Sequence, residues 1–133
     1  MKSTELRIGN LVSFRGRLAT VYQINRSGAV LQYDGDTNTE IEGVRRSTVS
    51  INDIEPVRIT EEILIKSGFY KDEGSIRFYI KHVMNSSICT FRVLLSNAGL
   101  YFPNTSNVEW VNMTGVHQLQ NLYFAITGQE LSV

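Results

Sequence analysis

The sequence of 133 residues contains one cysteine, two histidines and no long apolar run. A single thiol cannot form an internal disulfide, and Cys89 lies in a β-patterned run, so we expect a buried structural thiol. His82 and His117 fall in different predicted elements, and neither has a second histidine or cysteine at ligand spacing. The sequence therefore argues against a structural zinc site, and we predict no metal and no cofactor.

No apolar run approaches the roughly 20 residues that a membrane-spanning helix needs. The first ten residues, MKSTELRIGN, are polar and lack the apolar core of a secretory signal. We therefore expect a cytoplasmic protein that does not interact with a membrane.

The chain also lacks a charge excess, because 13 lysines and arginines balance 13 aspartates and glutamates. A dedicated nucleic-acid binder usually carries a net positive charge, and this chain does not. The basic residues are unevenly distributed, since no lysine or arginine follows Arg92. Any basic patch must therefore lie before residue 93.

Sequence motifs of catalysis and nucleotide binding are missing as well. There is no G-x-S-x-G elbow, no G-x-x-x-x-G-K-[ST] loop and no G-x-G-x-x-G after a strand. We interpret His117 as a packing or capping residue of the last predicted helix, and His82 as a solvated residue at a strand end. The carboxylates that could in principle pair as acid and base have positions typical of solvated turns. They are Asp34, Asp36, Asp53, Asp72 and Glu73. We predict that the protein is not an enzyme.

The first half of the chain has the turn-rich pattern of a small antiparallel β-structure. Residues 6–33, LRIGNLVSFRGRLATVYQINRSGAVLQY, contain three short β-patterned runs separated by Arg-Gly-Arg and Arg-Ser-Gly turns. Gly16 can adopt a positive φ, as a tight hairpin requires. In the second run, Leu18, Thr20, Tyr22 and Ile24 share one face of the predicted strand, and Ala19, Val21 and Gln23 share the other.

The pattern continues with a polar loop at residues 34–39, a weak strand at Val44–Ser50, a helical turn at Asn52 and Asp53, and a final strand. Pro56 lies in that strand and cannot donate to a central ladder, so we expect an edge strand. On these features residues 6–58 resemble SH3-like barrels, and RIGNLVSFRGRLATVYQI is similar to the opening of KOW-type small barrels. The resemblance implies an SH3-like β-barrel for residues 1–58.

The second half is predicted to be a helix, a β-meander and a second helix. Thr60 has the type and position of an N-cap, two glutamates occupy the first turn, and Gly68 can close this short helix. Apolar residues at helical spacing after Thr114 predict a last helix that stops at Gly128 and packs on the meander. The predicted strands are Ile76–Lys81, Ile88–Leu95, Gly99–Phe102 and Val108–Met113.

Together these elements predict an α+β protein. An N-terminal SH3-like β-barrel, residues 1–58, is followed by an α-β-meander-α part, residues 59–133. No repeat, low-complexity tract or flexible linker separates the two parts. We therefore expect the second part to pack against the first.

Three segments, RIGNLV, IEPVRITEEILIKSGF and VHQLQNLYFAITGQEL, carry a resemblance that covers nearly the whole chain. The sequence resembles a family of small proteins of unassigned activity, encoded in gut Bacteroidales genomes and in their phages and integrated elements. The terminal VHQLQNLYFAITGQEL is the most specific of the three segments. The resemblance implies a mobile-element setting, and it assigns no site residue.

These observations favour a non-enzymatic accessory or adaptor protein of a phage or mobile element that acts through protein–protein contacts. The alternative is a weak nucleic-acid-binding module that contacts phosphates through the barrel's arginines and stacks bases on Phe14, Tyr22 or Tyr33. Those arginines are Arg15, Arg17, Arg45 and Arg46. The structural interpretation of the same residues is that the arginines are solvated and pair with carboxylates across strands, while the aromatic residues fill the core. Those carboxylates are Asp36, Glu40 and Glu42. The oligomeric state stays undetermined at this level.

Overall fold

The computed structural model describes residues 1–34, 44–74, 77–84, 90–103 and 110–133. The chain divides into two compact units, Met1–Val57 and Arg58–Val133, and each contains one five-stranded antiparallel sheet. A short helix and a C-terminal helix complete the fold, so the predicted α+β class is confirmed. The predicted loop beyond Asp34 and the predicted buried thiol at Cys89 lie outside the described residues.

The sheet of the first unit has the strand order β4-β3-β2-β1-β5. Its strands are β1 (Leu11–Phe14), β2 (Arg17–Ile24), β3 (Gly28–Asp34), β4 (Val44–Ser50) and β5 (Ile54–Pro56). Turns of 3-10 helix occur at Ser3–Glu5 and at Ile51–Asp53, the second where a helical turn was predicted. Pro56 lies in the edge strand β5, as predicted. Among the described residues β4 and β5 stand at opposite edges, and no closed barrel is found.

The hairpin between β1 and β2 has a two-residue turn. Phe14 and Arg17 are the last paired residues, so Arg15 and Gly16 form the turn. Both have positive φ, 49° at Arg15 and 76° at Gly16, which is the geometry of a type I′ turn. The predicted tight hairpin and the positive φ of Gly16 are confirmed. A non-glycine residue at positive φ is uncommon, and the sequence did not predict it at Arg15.

The RIGN segment before β1 is held by a buried asparagine. Asn10 is 1% exposed, and its side-chain oxygen accepts a hydrogen bond of 2.7 Å from the backbone N–H of Arg7. The backbone carbonyl of Asn10 accepts from the Val21 N–H at 2.9 Å, and the Gly9 N–H donates to the Val21 carbonyl at 2.8 Å. These bonds attach the chain start to β2 beside the buried core of the unit. That core includes Leu6, Val12, Ala19, Val21, Ala29, Leu31, Tyr33, Val49 and Ile54.

The sheet of the second unit is a meander with the order β10-β9-β8-β7-β6. Its elements are α1 (Glu61–Lys66), β6 (Tyr70–Lys71), β7 (Phe78–His82), β8 (Thr90–Ser96), β9 (Gly99–Pro103), β10 (Trp110–Met113) and α2 (Val116–Thr127). The predicted meander is confirmed within the described ranges. The sequence did not predict β6, which has only two residues.

The helix termini follow the predicted capping chemistry. The Thr60 hydroxyl accepts from the Ile63 N–H at 3.3 Å and caps α1, as predicted. Gly128 has a φ of 72° and ends α2, and its N–H donates to the Phe124 carbonyl at 2.8 Å. At the start of α2 the Gln118 side chain accepts from the Gly115 N–H at 3.1 Å. No helix among the described residues is both long enough and apolar enough to cross a membrane.

The core of the second unit is centred on Phe91 in β8, which is 1% exposed. Its ring makes an edge contact with Phe69 at a centroid distance of 6.1 Å and another with Tyr123 of α2 at 5.1 Å. The second contact confirms that the last helix packs on the meander. Burial raises the pKa of Tyr123, as expected for a phenol in an apolar core.

Candidate binding surface

The outer side of the first sheet carries an exposed group of apolar, aromatic, polar and basic side chains. Side chains alternate along β2, and Ala19 and Val21 are buried on the core side. Their neighbours in the strand therefore lie on the outer side. Leu18 is 60% exposed and Tyr22 is 44% exposed. We call this surface the Tyr22 face, and it comprises Leu18, Thr20, Tyr22, Gln32 and Arg46.

Arg46 reaches the Tyr22 face from β4, two strands away. Arg46 pairs with Gln32 of β3, and Gln32 pairs with Thr20 of β2, so the three residues form one row across the sheet. The guanidinium carbon of Arg46 lies 3.7 Å from the centroid of the Tyr22 ring. Its Nε donates to the Gln32 side-chain oxygen at 3.4 Å. The face therefore presents a cation stacked on a half-exposed aromatic ring.

The four arginines predicted to contact nucleic acid do not share one face. Arg46 belongs to the Tyr22 face, whereas Arg45 precedes it in the strand and pairs with Tyr33, whose ring belongs to the core side. The guanidinium carbon of Arg17 lies 5.1 Å from the Tyr33 ring centroid, so Arg17 is also on that side. Arg15 lies in the β1–β2 turn, 5.1 Å from the ring of Phe14. All four side chains are exposed.

The aromatic residues predicted to stack bases differ in their exposure. Tyr33 is buried, and its hydroxyl accepts a hydrogen bond from the Ser47 hydroxyl at 3.1 Å. Phe14 packs against the core and is partly buried. Of the three rings, only that of Tyr22 is exposed, so it has the most room to contact a partner. The carboxylates expected to pair with the arginines, Asp36, Glu40 and Glu42, lie outside the described residues.

The two histidines and Asp72, which the sequence offered as possible catalytic or metal-binding residues, have local packing or polar contacts. His82 is exposed at the end of β7, with its Nε2 2.9 Å from the Tyr70 hydroxyl. His117 is buried in the first turn of α2, as predicted for a packing residue. Asp72 forms a 3.1 Å ion pair with Arg92. Within the described ranges no three His, Cys, Asp or Glu residues lie close enough together to hold a metal ion.

Sequence reasoning missed the contact between Arg46 and Tyr22. Alternation placed Leu18 and Tyr22 on one face, but it did not show which face of β2 is buried. The ladder also shifts register between Val21 and Gln23, a bulge-like irregularity beside Tyr22. Because of this shift Ile24 pairs with Ala29 and packs against the core, so its predicted place on the side of Leu18 and Tyr22 is wrong. Only the pairing of β2, β3 and β4 brings Arg46 next to that ring.

Comparison with known proteins adds no relative. No protein-family model, curated protein or solved structure matches the chain.

Proposed function

We propose that the protein is a non-enzymatic adaptor whose Tyr22 face binds a partner protein. The observation that carries this proposal is the stacked pair of Arg46 and Tyr22 beside exposed Leu18. Tyrosine and arginine are among the residue types enriched at energetic hot spots of protein interfaces. Their stacking fixes two long side chains before a partner arrives, which lowers the entropy cost of association.

The chemistry of the face indicates the chemistry of its partner. Leu18 and the Tyr22 ring offer apolar contact area, and the Arg46 guanidinium offers donors in a fixed orientation. A protein surface with an apolar side chain next to a carboxylate would match both the apolar contact area and the guanidinium donors. A setting in a phage or mobile element, which the sequence resemblance implies, is compatible with this role.

We further propose that the first unit is an SH3-like module. Its support is the order β4-β3-β2-β1-β5, in which the last strand crosses over to pair with the first after a 3-10 turn. This connectivity is the one expected of an SH3-like barrel. Small barrels of this kind host many unrelated activities, so the topology alone assigns none.

The partner is identified by photo-crosslinking and then measured with matched variants. A photoreactive residue at Thr20 of the full chain, in native host cells, should crosslink one protein. With that protein purified, Tyr22→Ala is expected to weaken binding by about 30-fold, because a hot-spot truncation costs about 2 kcal/mol. Isothermal titration calorimetry supplies the dissociation constants.

Tyr70→Ala is the control, because Tyr70 is a tyrosine of the same 44% exposure in the other unit. It should change the affinity by less than about 3-fold, as expected for a residue outside the interface. Equal losses in the two variants would contradict the proposed face. Absence of any crosslinked protein would also count against it. Circular dichroism checks that both variants fold.

Nucleic-acid binding is a second candidate, because three arginines of the first unit lie over aromatic rings. The pairs are Arg15 with Phe14, Arg17 with Tyr33, and Arg46 with Tyr22. Stacking orients the guanidinium group, and guanidinium is a favoured donor to phosphate oxygens.

If the chain binds nucleic acid, reversing the charge of Arg15 and Arg17 to glutamate is expected to weaken the binding and flatten its salt dependence. Each lost phosphate contact lowers the salt slope by about one. Fluorescence anisotropy with labelled single- and double-stranded oligonucleotides, at about 50 and 200 mM salt, measures both quantities. Unchanged affinity in the double variant would remove this candidate.

A further inference from the structure

The second unit contains a cleft of about 760 Å³ at the end of its sheet where β7 begins and β8 ends. This volume lies within the usual range of small-molecule sites, roughly 300–1,000 Å³. The walls come from the segment that leads into α1, from β6, from the start of β7 and from the β8–β9 turn. The polar lining includes Arg58, Glu61, Lys71, Arg77, Tyr79 and Asn97.

The cleft concentrates positive charge in a chain that is neutral overall. Its described lining holds three cations, Arg58, Lys71 and Arg77, and one anion, Glu61. The Lys71 ammonium lies 3.6 Å from the Glu61 carboxylate, so these two charges partly compensate each other. The described lining therefore holds two more positive than negative side chains. Such a cavity attracts anions more strongly than a flat surface would, because its walls focus the field.

The backbone at each of the three cations is fixed by the sheet. Arg58 forms an isolated antiparallel bridge with Gly115. The Arg77 carbonyl accepts from the Leu95 N–H at 2.9 Å, and Lys71 pairs with Tyr79 between β6 and β7. The three side chains therefore extend from backbone positions that the fold holds in place.

Tyr79 holds Glu61, the acidic side chain of the described lining. Tyr79 is 2% exposed, and its pKa is raised, first by burial and then by its hydrogen bond to Glu61 and the charge of that carboxylate. The phenol therefore stays protonated at neutral pH and donates to Glu61. With Lys71 on the same carboxylate, the acid is held by two partners.

The rest of the lining is rigid and partly apolar. In the β8–β9 turn the Ser96 hydroxyl donates to the Gly99 carbonyl at 3.1 Å and accepts from the Ala98 N–H at 3.2 Å. Ile59 and Leu95 contribute apolar surface. A ligand that matches this lining has an anionic group and an apolar part.

We propose that this cleft binds a small organic anion. Arg58 and Arg77 hold its phosphate or carboxylate group through charge-assisted hydrogen bonds, and Ile59 and Leu95 contact its apolar part. The site is distinct from the Tyr22 face, since the described residues that line it belong to the second unit.

The test is an NMR titration of the ¹⁵N-labelled full chain at constant ionic strength. The probes are phenyl phosphate, benzoate and benzyl alcohol, which share a ring and differ in the charged group. At least one anion should shift the amides of residues 58–61 and 95–98 in a saturable way, and benzyl alcohol should bind at least about 10-fold more weakly. The stronger anion shows whether phosphate or carboxylate is preferred. Absence of saturable shifts with both anions would overturn the proposal.

Variants separate this site from general attraction of anions to the protein. Arg58→Gln and Arg77→Gln should each weaken binding of the preferred anion by about 5- to 10-fold. Glu61→Gln keeps the hydrogen bond to Tyr79 but removes the negative charge, so it should strengthen binding by about 2- to 5-fold. Arg92→Gln is the control, because Arg92 follows buried Phe91 in β8 and therefore lies on the opposite side of the sheet.

A loss in Arg92→Gln as large as in the two cleft variants would overturn the proposal, and so would weaker binding in Glu61→Gln. Retained dispersion of the amide spectrum shows that each variant is folded. If Arg58→Gln unfolds the chain, Arg58→Lys serves in its place, with the same direction of effect expected because lysine lacks the planar fork of donors.

Discussion

Phe91→Ala is expected to lower the free energy of unfolding of the second unit by about 4 kcal/mol. Phe91 is 1% exposed, and its ring lies between Phe69, which follows α1, and Tyr123 of α2. Alanine would leave a cavity between residues of three different elements. The cavity cannot close unless α2 moves on the sheet. We therefore expect the free energy of unfolding to fall by most of the lost hydrophobic transfer free energy and by the cost of the cavity. Urea denaturation followed by circular dichroism measures the loss, and hydrogen exchange of the β8 amides locates it.

Phe124→Ala is the matched control, because Phe124 follows Tyr123 in α2 and is 38% exposed. Its cost should stay below about 1 kcal/mol, since alanine also favours the helix. Phe91→Leu should fall between the two, because leucine fills part of the cavity. Similar losses for Phe91→Ala and Phe124→Ala would show that Phe91 does not centre the core.

The second unit shows which signals are local enough to be predicted from sequence. Thr60 and Gly128 act through bonds within a few residues, so both helix ends could be predicted. The span of α2 follows from apolar residues at helical spacing. Strand β6, Tyr70–Lys71, could not be predicted, because two residues contain no alternation and depend on pairing with β7.

The Tyr22 face shows where alternation alone is insufficient. Both sides of β2 carry apolar residues, and the larger ones, Leu18 and Tyr22, are exposed while Ala19 and Val21 are buried. The side that faces the core depends on the space available between strands, which composition does not indicate. The four arginines of the nucleic-acid hypothesis do not share one face for a related reason, because adjacent Arg45 and Arg46 point to opposite sides of β4.

The cleft shows that the grouping of charged residues, like the buried side of a strand, could not be predicted from sequence alone. Arg58, Lys71 and Arg77 are dispersed along the chain and form no basic run. The bridge from Arg58 to Gly115 and the pairing of β6 with β7 bring them to one end of the sheet. The sequence did predict that any basic patch lies before residue 93, and these three cations fulfil that condition.

Gly28→Ala is expected to destabilise the first unit by about 3 kcal/mol. The sequence predicts Gly28 as the end of an Arg-Ser-Gly turn, but its backbone also begins β3 and pairs with Ser50 of β4. A Cβ at this position would overlap the backbone carbonyl oxygen of Val49. Because that oxygen belongs to a paired strand, relief requires β3 and β4 to separate locally. Hydrogen exchange of the Gly28–Asp34 amides and urea denaturation measure the effect.

Substitutions of two other glycines separate two reasons for glycine, the close approach of another atom and a positive φ. Gly16 has open space around a Cβ but a φ of 76°, so Gly16→Ala should cost about 1 kcal/mol through conformation alone. Gly74 has no such φ, and its nearest atom to a Cβ is the Asp72 Oδ1 at 3.7 Å, so Gly74→Ala should stay within about 0.5 kcal/mol of the parent. The expected order of cost is therefore Gly28, Gly16, Gly74. If Gly28→Ala cost no more than Gly16→Ala, the approach of β3 to the Val49 carbonyl would not be what requires glycine at position 28.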